Sequence, residues 1–477
     1  MASIEDQSHR INNCGIEISH KKAAAKDKKR KGGSEMKAFF LGKTLAFCFS
    51  ITGCLIFPDL TQPALAGGFS YAPDANPVNP AGSQGAAGLD NASAVFYNPA
   101  AMMRLEETQL LIRNDLTIYN PKFKDKGSEL FPGVPLTGGN ASGRSETLVP
   151  SVAATYRISD DVAVGLSVDT AFGLSTLYPD TWPGRYQAIE SRLSAININP
   201  AIAANVTDEL AVGVGLNLQY ADAVLSNAID FGSLIALGGA TPVPQQLDGM
   251  VELRGEDWSW GWNAGVLYEP SDSTRIGLAY RSAITHNLRG NADFTVPDAA
   301  AGLTVATGAF TDTGTSATLR LPDILSFGVY QQLSPEFALT GQVDWQMWSR
   351  YSDFNVDFDN PAQPDTSEPQ NWHDTTRLAI GAIYEPSEEW TLRAGFSYDP
   401  SPVDDAFLTP RIPSSDSYGL DFGATYRPTD NLGITARWYH LFFDNRDINR
   451  TVDGAGTLVG EYDTNVDVFS FVLDWRF

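Results

Sequence analysis

The sequence predicts an all-β fold: a transmembrane antiparallel β-barrel of about fourteen strands with an N-terminal plug, set in a bacterial outer membrane. Three observations predict it. A secretory leader precedes the mature chain, runs of about ten residues alternate strictly between apolar and polar, and the last strand ends on the aromatic Phe477.

The leader comes first. Residues 1–35 carry a basic cluster, Lys21 to Lys31, without apolar periodicity, and read as an extension ahead of a second start at Met36. The alternative is a real basic tail on an unusually long signal. Residues 36–66 combine Lys37 and Lys43, an apolar core from Thr44 to Phe57, and Ala64-Leu65-Ala66, so cleavage is expected before Gly67. The core is too short to span a bilayer as a helix. Ile51-Thr52-Gly53-Cys54 resembles a lipoprotein box, but Leu55-Ile56-Phe57 continues the apolar run beyond it.

All three cysteines precede the expected cut, which excludes a disulfide framework, a thiol nucleophile or a thiolate metal site in the mature part. Removing residues 1–66 leaves 23 basic against 51 acidic residues, a net charge of −28. Such a chain repels nucleic acid, so no nucleic-acid partner is expected. Solvated acidic loops account for the charge.

The strands follow. No mature segment offers ~20 consecutive apolar residues, so a transmembrane helix is not expected. Instead Leu210, Val212, Val214, Leu216, Leu218 and Tyr220 alternate with Ala211, Gly213, Gly215, Asn217 and Gln219. Trp390 to Asp399 and Tyr418 to Arg427 repeat the pattern. A soluble sandwich also alternates, but its strands average about five or six residues. Strands are expected at 109–119, 148–157, 161–172, 191–205, 209–223, 258–269, 275–288, 317–332, 336–350, 372–385, 389–399, 417–427, 432–443 and 463–477. Tight joints such as Pro270-Ser271-Asp272 alternate with long ones at 120–147, 173–190, 224–257 and 289–316. That asymmetry fits short periplasmic turns and long external loops. On the last strand Phe469, Phe471, Leu473, Trp475 and Phe477 share one face. Phe471, Leu473, Trp475 and Phe477 are taken as the signal read by the barrel-assembly machinery.

Residues 67–105 lack any strand pattern, and residues 106–477 form the barrel. Without strands the first segment cannot sit in lipid, because its backbone groups would be unsatisfied. Val95-Phe96-Tyr97 and Met102-Met103 supply apolar anchors for a plug inside the barrel. The alternative is a disordered periplasmic tail.

Here a family resemblance becomes specific. Gly85-Ala86-Ala87, Asp90-Asn91-Ala92 and Asn98-Pro99-Ala100 resemble the hatch of the FadL-type outer-membrane transporters of long-chain fatty acids and hydrocarbons (OmpP1/FadL/TodX). The likeness continues in order through Phe172-Gly173-Leu174, Trp182-Pro183-Gly184-Arg185-Tyr186, the run Trp258 to Glu269, Leu321-Pro322-Asp323 and Asp399-Pro400-Ser401-Pro402-Val403. It implies a hatch-plugged barrel that captures an apolar ligand at an external groove. The ligand then passes to a pocket beside the hatch and leaves sideways where the third strand kinks. Implied partners are a hydrophobic small molecule (fatty acid or hydrocarbon), outer-membrane lipid and lipopolysaccharide; the protein is expected to be a monomer.

The expected hatch and strand-kink residues are Asn98, Pro99 and Ala100. Candidate ligand contacts are Phe69, Phe172 and Leu174, with Phe231, Leu234, Ile235 and Leu237 in one long loop and Phe294 and Val296 in another. An apolar cluster on a surface loop marks a binding site; self-packing of that loop into a lid is the other reading. Two positions that are cationic in the fatty-acid branch fall near Asn227 and Asn355, both neutral, so the resemblance leaves a neutral hydrocarbon as open as a fatty acid.

No cofactor, metal site or catalytic residue is expected. The five histidines are dispersed, and neither G-x-S-x-G nor H-E-x-x-H occurs. The remaining alternative to hydrophobic uptake is a general diffusion porin with an open aqueous channel.

Overall fold

The computed structural model describes residues 68–70, 78–106 and 108–477. The expected extension, the signal segment and Cys54 lie outside the described residues.

Alternation along the described chain becomes a closed wall of fourteen strands. The first six are β1 (Gln109–Asp125), β2 (Ser145–Ser159), β3 (Val162–Leu177), β4 (Glu190–Asn205), β5 (Leu210–Asp230) and β6 (Asp248–Ser271). Next come β7 (Thr274–Arg281, continued by Ile284–Thr295), β8 (Thr313–Leu321, continued by Ile324–Ser334) and β9 (Phe337–Gln346, continued by Asp353–Phe358). The wall ends with β10 (Thr375–Ser387), β11 (Trp390–Asp399), β12 (Ser417–Thr429), β13 (Leu432–Phe443) and β14 (Gly456–Arg476). Each strand pairs antiparallel with its successor, and β14 pairs back onto β1. Closure leaves no sheet edge to lipid, the condition for strands to cross a bilayer.

Side chains sort as a barrel requires. On β14 Phe471, Trp475 and the terminal Phe477 point outward and are exposed, with Leu473 half-buried beside them, while Val468, Ser470 and Val472 are buried on the inner face. No helix among the described residues is long and apolar enough to cross a membrane.

The strand count and order match the alternation, but several strands run further than expected, whereas the one expected at 336–350 breaks after Gln346. β5 reaches Asp230 and β6 begins at Asp248, so the loop expected at 224–257 shrinks to residues 231–247. The loop expected at 289–316 shrinks likewise, because β7 continues to Thr295 and β8 begins at Thr313. Above the lipid neither face needs to be apolar, so the hydropathy period fades while the backbone ladder goes on.

Residues 78–106 are almost wholly buried and bond to inward-facing side chains on both sides of the ring. Ala81 N donates to Asp421 on β12 (2.6 Å), and Arg377 on β10 donates to Ala81 O (2.5 Å). Ala86 N donates to Gln342 on β9 (2.8 Å), and Arg281 on β7 to Phe96 O (2.6 Å). Asn98 uses its amide group fully: Nδ2 donates to Ala86 O and Val266 O, and Oδ1 accepts from Ala100 N. Wall glycines permit this approach. A Cβ on Gly265 would lie 1.9 Å from Asn98 Oδ1, and one on Gly277 1.7 Å from Ala86 O.

Candidate functional site

The third strand departs from the regular wall. β2 and β3 pair only from Ser159–Val162 up to Val152–Val168. Above that level β2 keeps its other neighbour, pairing with β1 as far as Ser145–Tyr119. Residues 145–151 of β2 therefore have a strand on one side only. β3 meanwhile stays paired with β4 to Leu177–Glu190, with Ala171 bulged out of register between Thr170 and Phe172. A bulge bends its strand, and from Asp169 to Thr176 both faces of β3 are buried. The upper half of the strand has turned into the barrel. The window so formed is closed above by Ser145 Oγ donating to Ser175 O (2.8 Å).

The start of the described chain fastens this bend. Ser70 bridges Phe172, and Gly173 N donates to Phe69 O (3.0 Å). The Phe69 ring lies 4.9 Å from Trp348, 5.6 Å from Trp372, 5.7 Å from Tyr351 and 6.2 Å from Phe172, mostly edge to face. Such contacts add about 0.5–1.5 kcal/mol each beyond area burial.

Beside Phe69 lies a cavity of ≈ 570 Å³, including its open mouth. Leu174, Leu193, Ala223, Leu225, Leu288, Leu319 and Phe354 form its apolar walls, and Arg192, Arg411, Glu368 and Gln370 its polar ones. A second cavity of ≈ 310 Å³ shares Ala223, Leu225, Leu288 and Phe354 with it. The two adjoin across these four apolar residues of β5, β7 and β9.

Arg411, between β11 and β12, was not among the expected residues. Its Nη1 donates to Glu190 O (3.3 Å), Ser191 Oγ (3.2 Å) and Ser226 O (3.4 Å), and its Nη2 to Asn227 Oδ1 (3.1 Å). Burial pulls its pKa below the ordinary guanidinium value, against the pull of Glu368. Glu368 itself is paired with Arg450. Asn227 is thus neutral but serves as the rest of a cation delivered by another loop. Asn355 donates to Asp353 (2.8 Å), which also faces Arg320 (3.4 Å). No sequence signal marked Arg411, which sits in an aperiodic stretch rich in Pro and Ser.

The other expected residues separate into groups. Phe69, Phe172 and Leu174 come together at the bend. Phe231 is fully buried against Phe310 (5.1 Å between rings), Ala300 and Leu303, with Leu234, Ile235 and Val296 packed around them. Phe294 joins through Phe310 at 6.1 Å. The two long loops therefore pack on each other, and none of these side chains lines the larger cavity. Leu237 belongs to the adjoining short helix, Ile235–Gly238. Asn98, Pro99 and Ala100 sit against Gly213 and Gly265 on β5 and β6, not at the bend in β3, whose neighbours are Phe69 and Ser70. The motif Trp182 to Tyr186 forms a buried knot: Trp182 stacks on Tyr178 at 4.1 Å, and Arg185 pairs with Asp248 at 2.8 Å.

The chain resembles known proteins along most of its length. The family model described as outer membrane protein transport protein (OMPP1/FadL/TodX) matches residues 60–477. The 47 kDa outer membrane protein of Pasteurella multocida (strain Pm70) is 31% identical over 385 residues, 75% of this chain and 82% of its own. The long-chain fatty acid transport protein of Escherichia coli (strain K12) is 28% identical over 368 residues, 71% and 79% of the two chains. Among solved structures, a FadL homologue of Pseudomonas aeruginosa aligns with a TM-score of 0.78 at 23% identity, over 86% of this chain and 100% of that one. The toluene transporter TodX of P. putida aligns with a TM-score of 0.64 at 17% identity, over 88% and 99%. At those identities the solved structures speak for the fold alone. The family consists of transporters and channels, not enzymes. With its closed fourteen-stranded wall, the chain is a bacterial outer-membrane β-barrel and belongs to the OMPP1/FadL/TodX family of outer membrane transport proteins.

Proposed function

We propose that the protein takes up hydrophobic compounds passively across the outer membrane and releases them sideways through the window between β2 and β3. The bend in β3 carries this reading, because it joins an interrupted wall to an apolar cavity. Residues 78–106 act as the plug: their bonds to β7, β9, β10 and β12 leave the axial route closed. A ligand enters above β5 to β9, descends the apolar path to Phe69, Phe172 and Leu174, and exits at the level of Leu148. Moving along apolar walls into lipid avoids returning the ligand to water, where its transfer is unfavourable by about 25 cal/mol per Å².

The polar end of the pocket favours an amphiphile. Arg411 and Arg192 offer donors to a carboxylate while the leucines hold the chain, so a long-chain carboxylate fits better than a bare hydrocarbon. Phe231, Leu234, Ile235, Phe294 and Val296 act as a self-packed lid over the entrance, and Leu237 belongs to the same loop. Phe471, Leu473, Trp475 and Phe477 serve assembly into the outer membrane, and the barrel works as a monomer.

Deleting Ala171 tests the exit. It removes the bulge, lets β3 stay in register, and extends its pairing with β2. Uptake of a labelled fatty acid into proteoliposomes should fall to the protein-free background while binding in detergent persists. Undiminished uptake would refute lateral release.

A further inference from the structure

Lys122, Lys124 and Lys126 are the only lysines after Lys43. Lys122 and Lys124 occupy alternate positions at the upper end of β1, where side chains two apart share a face, and Lys126 follows just beyond the strand. On that face Leu116 and Ile118 belong to the apolar belt, then come Asn120, Lys122 and Lys124. At about 3.3 Å per residue, Lys122 starts roughly 13 Å along the strand from Ile118. That distance lifts it from hydrocarbon into the headgroup layer.

The lysines differ in what they meet. Lys126 is engaged at 2.7 Å by Asp447 and at 2.6 Å by Glu461. Lys122 and Lys124 are exposed, and neither forms an ion pair among the described residues. In register they lie across from Asp463 and Glu461 on β14. Lys126 is shared between Asp447 and Glu461, so three ammonium groups meet three carboxylates here, and Lys122 and Lys124 are the two that hold no ion-pair contact among the described residues. On the other flank Lys122 faces Ser142 and Phe123 faces Ala141, small side chains that leave room beside the ammonium groups.

An otherwise acidic barrel that places its unpaired lysines outward, at headgroup height, offers a seat for an anionic lipid. A lysine is a compact, flexible point charge suited to phosphate, and its stem can bend back along apolar surface. We propose that Lys122 and Lys124 bind the phosphate of an outer-leaflet lipid, the phosphorylated glucosamine headgroup of lipopolysaccharide. Its acyl chains lie over the exposed Leu116 and Leu148, beside the unpaired edge of β2. The bound lipid thus borders the window without occupying the internal pocket, and the seat is independent of the uptake route.

The test uses the purified full-length mature protein, folding being checked by heat-modifiable migration. Native mass spectrometry compares retention of lipid A carrying its phosphates with dephosphorylated lipid A, with inorganic phosphate as competitor. The parent should retain the phosphorylated form about thirtyfold better, the scale of two lysines near an anionic surface. Lys122→Gln with Lys124→Gln should abolish that preference, whereas Arg144→Gln, whose parent side chain is paired with Glu146, should keep it. Equal retention of both lipids by the parent, or an unchanged preference in the double variant, would overturn the proposal. Displacement by millimolar inorganic phosphate would also overturn it, marking a free-phosphate site instead.

Discussion

Two seams of the same wall behave differently. β14 and β1 pair through every residue from Gln109–Arg476 to Asp125–Gly460, without a register shift. β2 and β3 begin as regularly but stop at Val152–Val168, well short of the upper rim. Both face the same bilayer, where an unpaired backbone group costs several kcal/mol. A complete ladder is therefore the default, and an incomplete one must be built and held. Here it is built by the Ala171 bulge and held by Phe69 and Ser70. The difference separates wall that only encloses from wall that does something.

The comparison can be broken in steps. The Ala171 deletion, which should convert the short seam into a long one and remove uptake, is the largest. Phe69→Ala comes next. It strips the bend of its four aromatic partners, and large-to-small changes of this kind cost about 3–5 kcal/mol. Thermal scanning should show a lowered or split transition, and limited proteolysis should reach the N-terminal segment sooner than in the parent. Arg411→Gln should weaken a long-chain carboxylate about tenfold, the order expected for a lost charged hydrogen bond, and leave its methyl ester unchanged by tryptophan fluorescence titration. Equal losses for acid and ester would show that Arg411 only organises the loops. Phe469→Leu, on the fully laddered seam, should be smallest, with stability within about 1 kcal/mol and uptake unaltered.

Alternation made the wall legible because lipid outside and water inside impose opposite demands on successive residues. It located all fourteen strands in order, and it failed where that contrast fades. Residues 224–230 and 248–257 extend β5 and β6 into water, so their ladder left no hydropathy trace. Residues 78–106 stood out as a gap in the pattern, and Ala86 and Asn98–Ala100 among them lie close against the wall glycines Gly277, Gly265 and Gly213. The residues at the bend were only half legible. Phe172 and Leu174 stood out by family resemblance, but Asn98–Ala100 was tied to the kink, although these residues dock on β5 and β6. The true fastening pairs Ser70 with Phe172, a contact between distant stretches that no local pattern encodes. Arg411 was invisible for a similar reason: its meaning depends on Asn227 and Ser191, brought to it only by closure of the barrel.

The backbone of Phe477 donates to Thr108 O at 2.9 Å, which fastens the last residue beside the start of β1. This bond sets an order of events. The first wall strand meets its final partner only after the last strand of the wall has been made. Closing so long a loop carries the largest entropic cost in the fold, and until then β1 and β14 are two open edges able to pair with any extended chain. The ring cannot complete without β14, and a truncation that removes this strand should leave not a smaller barrel but an open sheet.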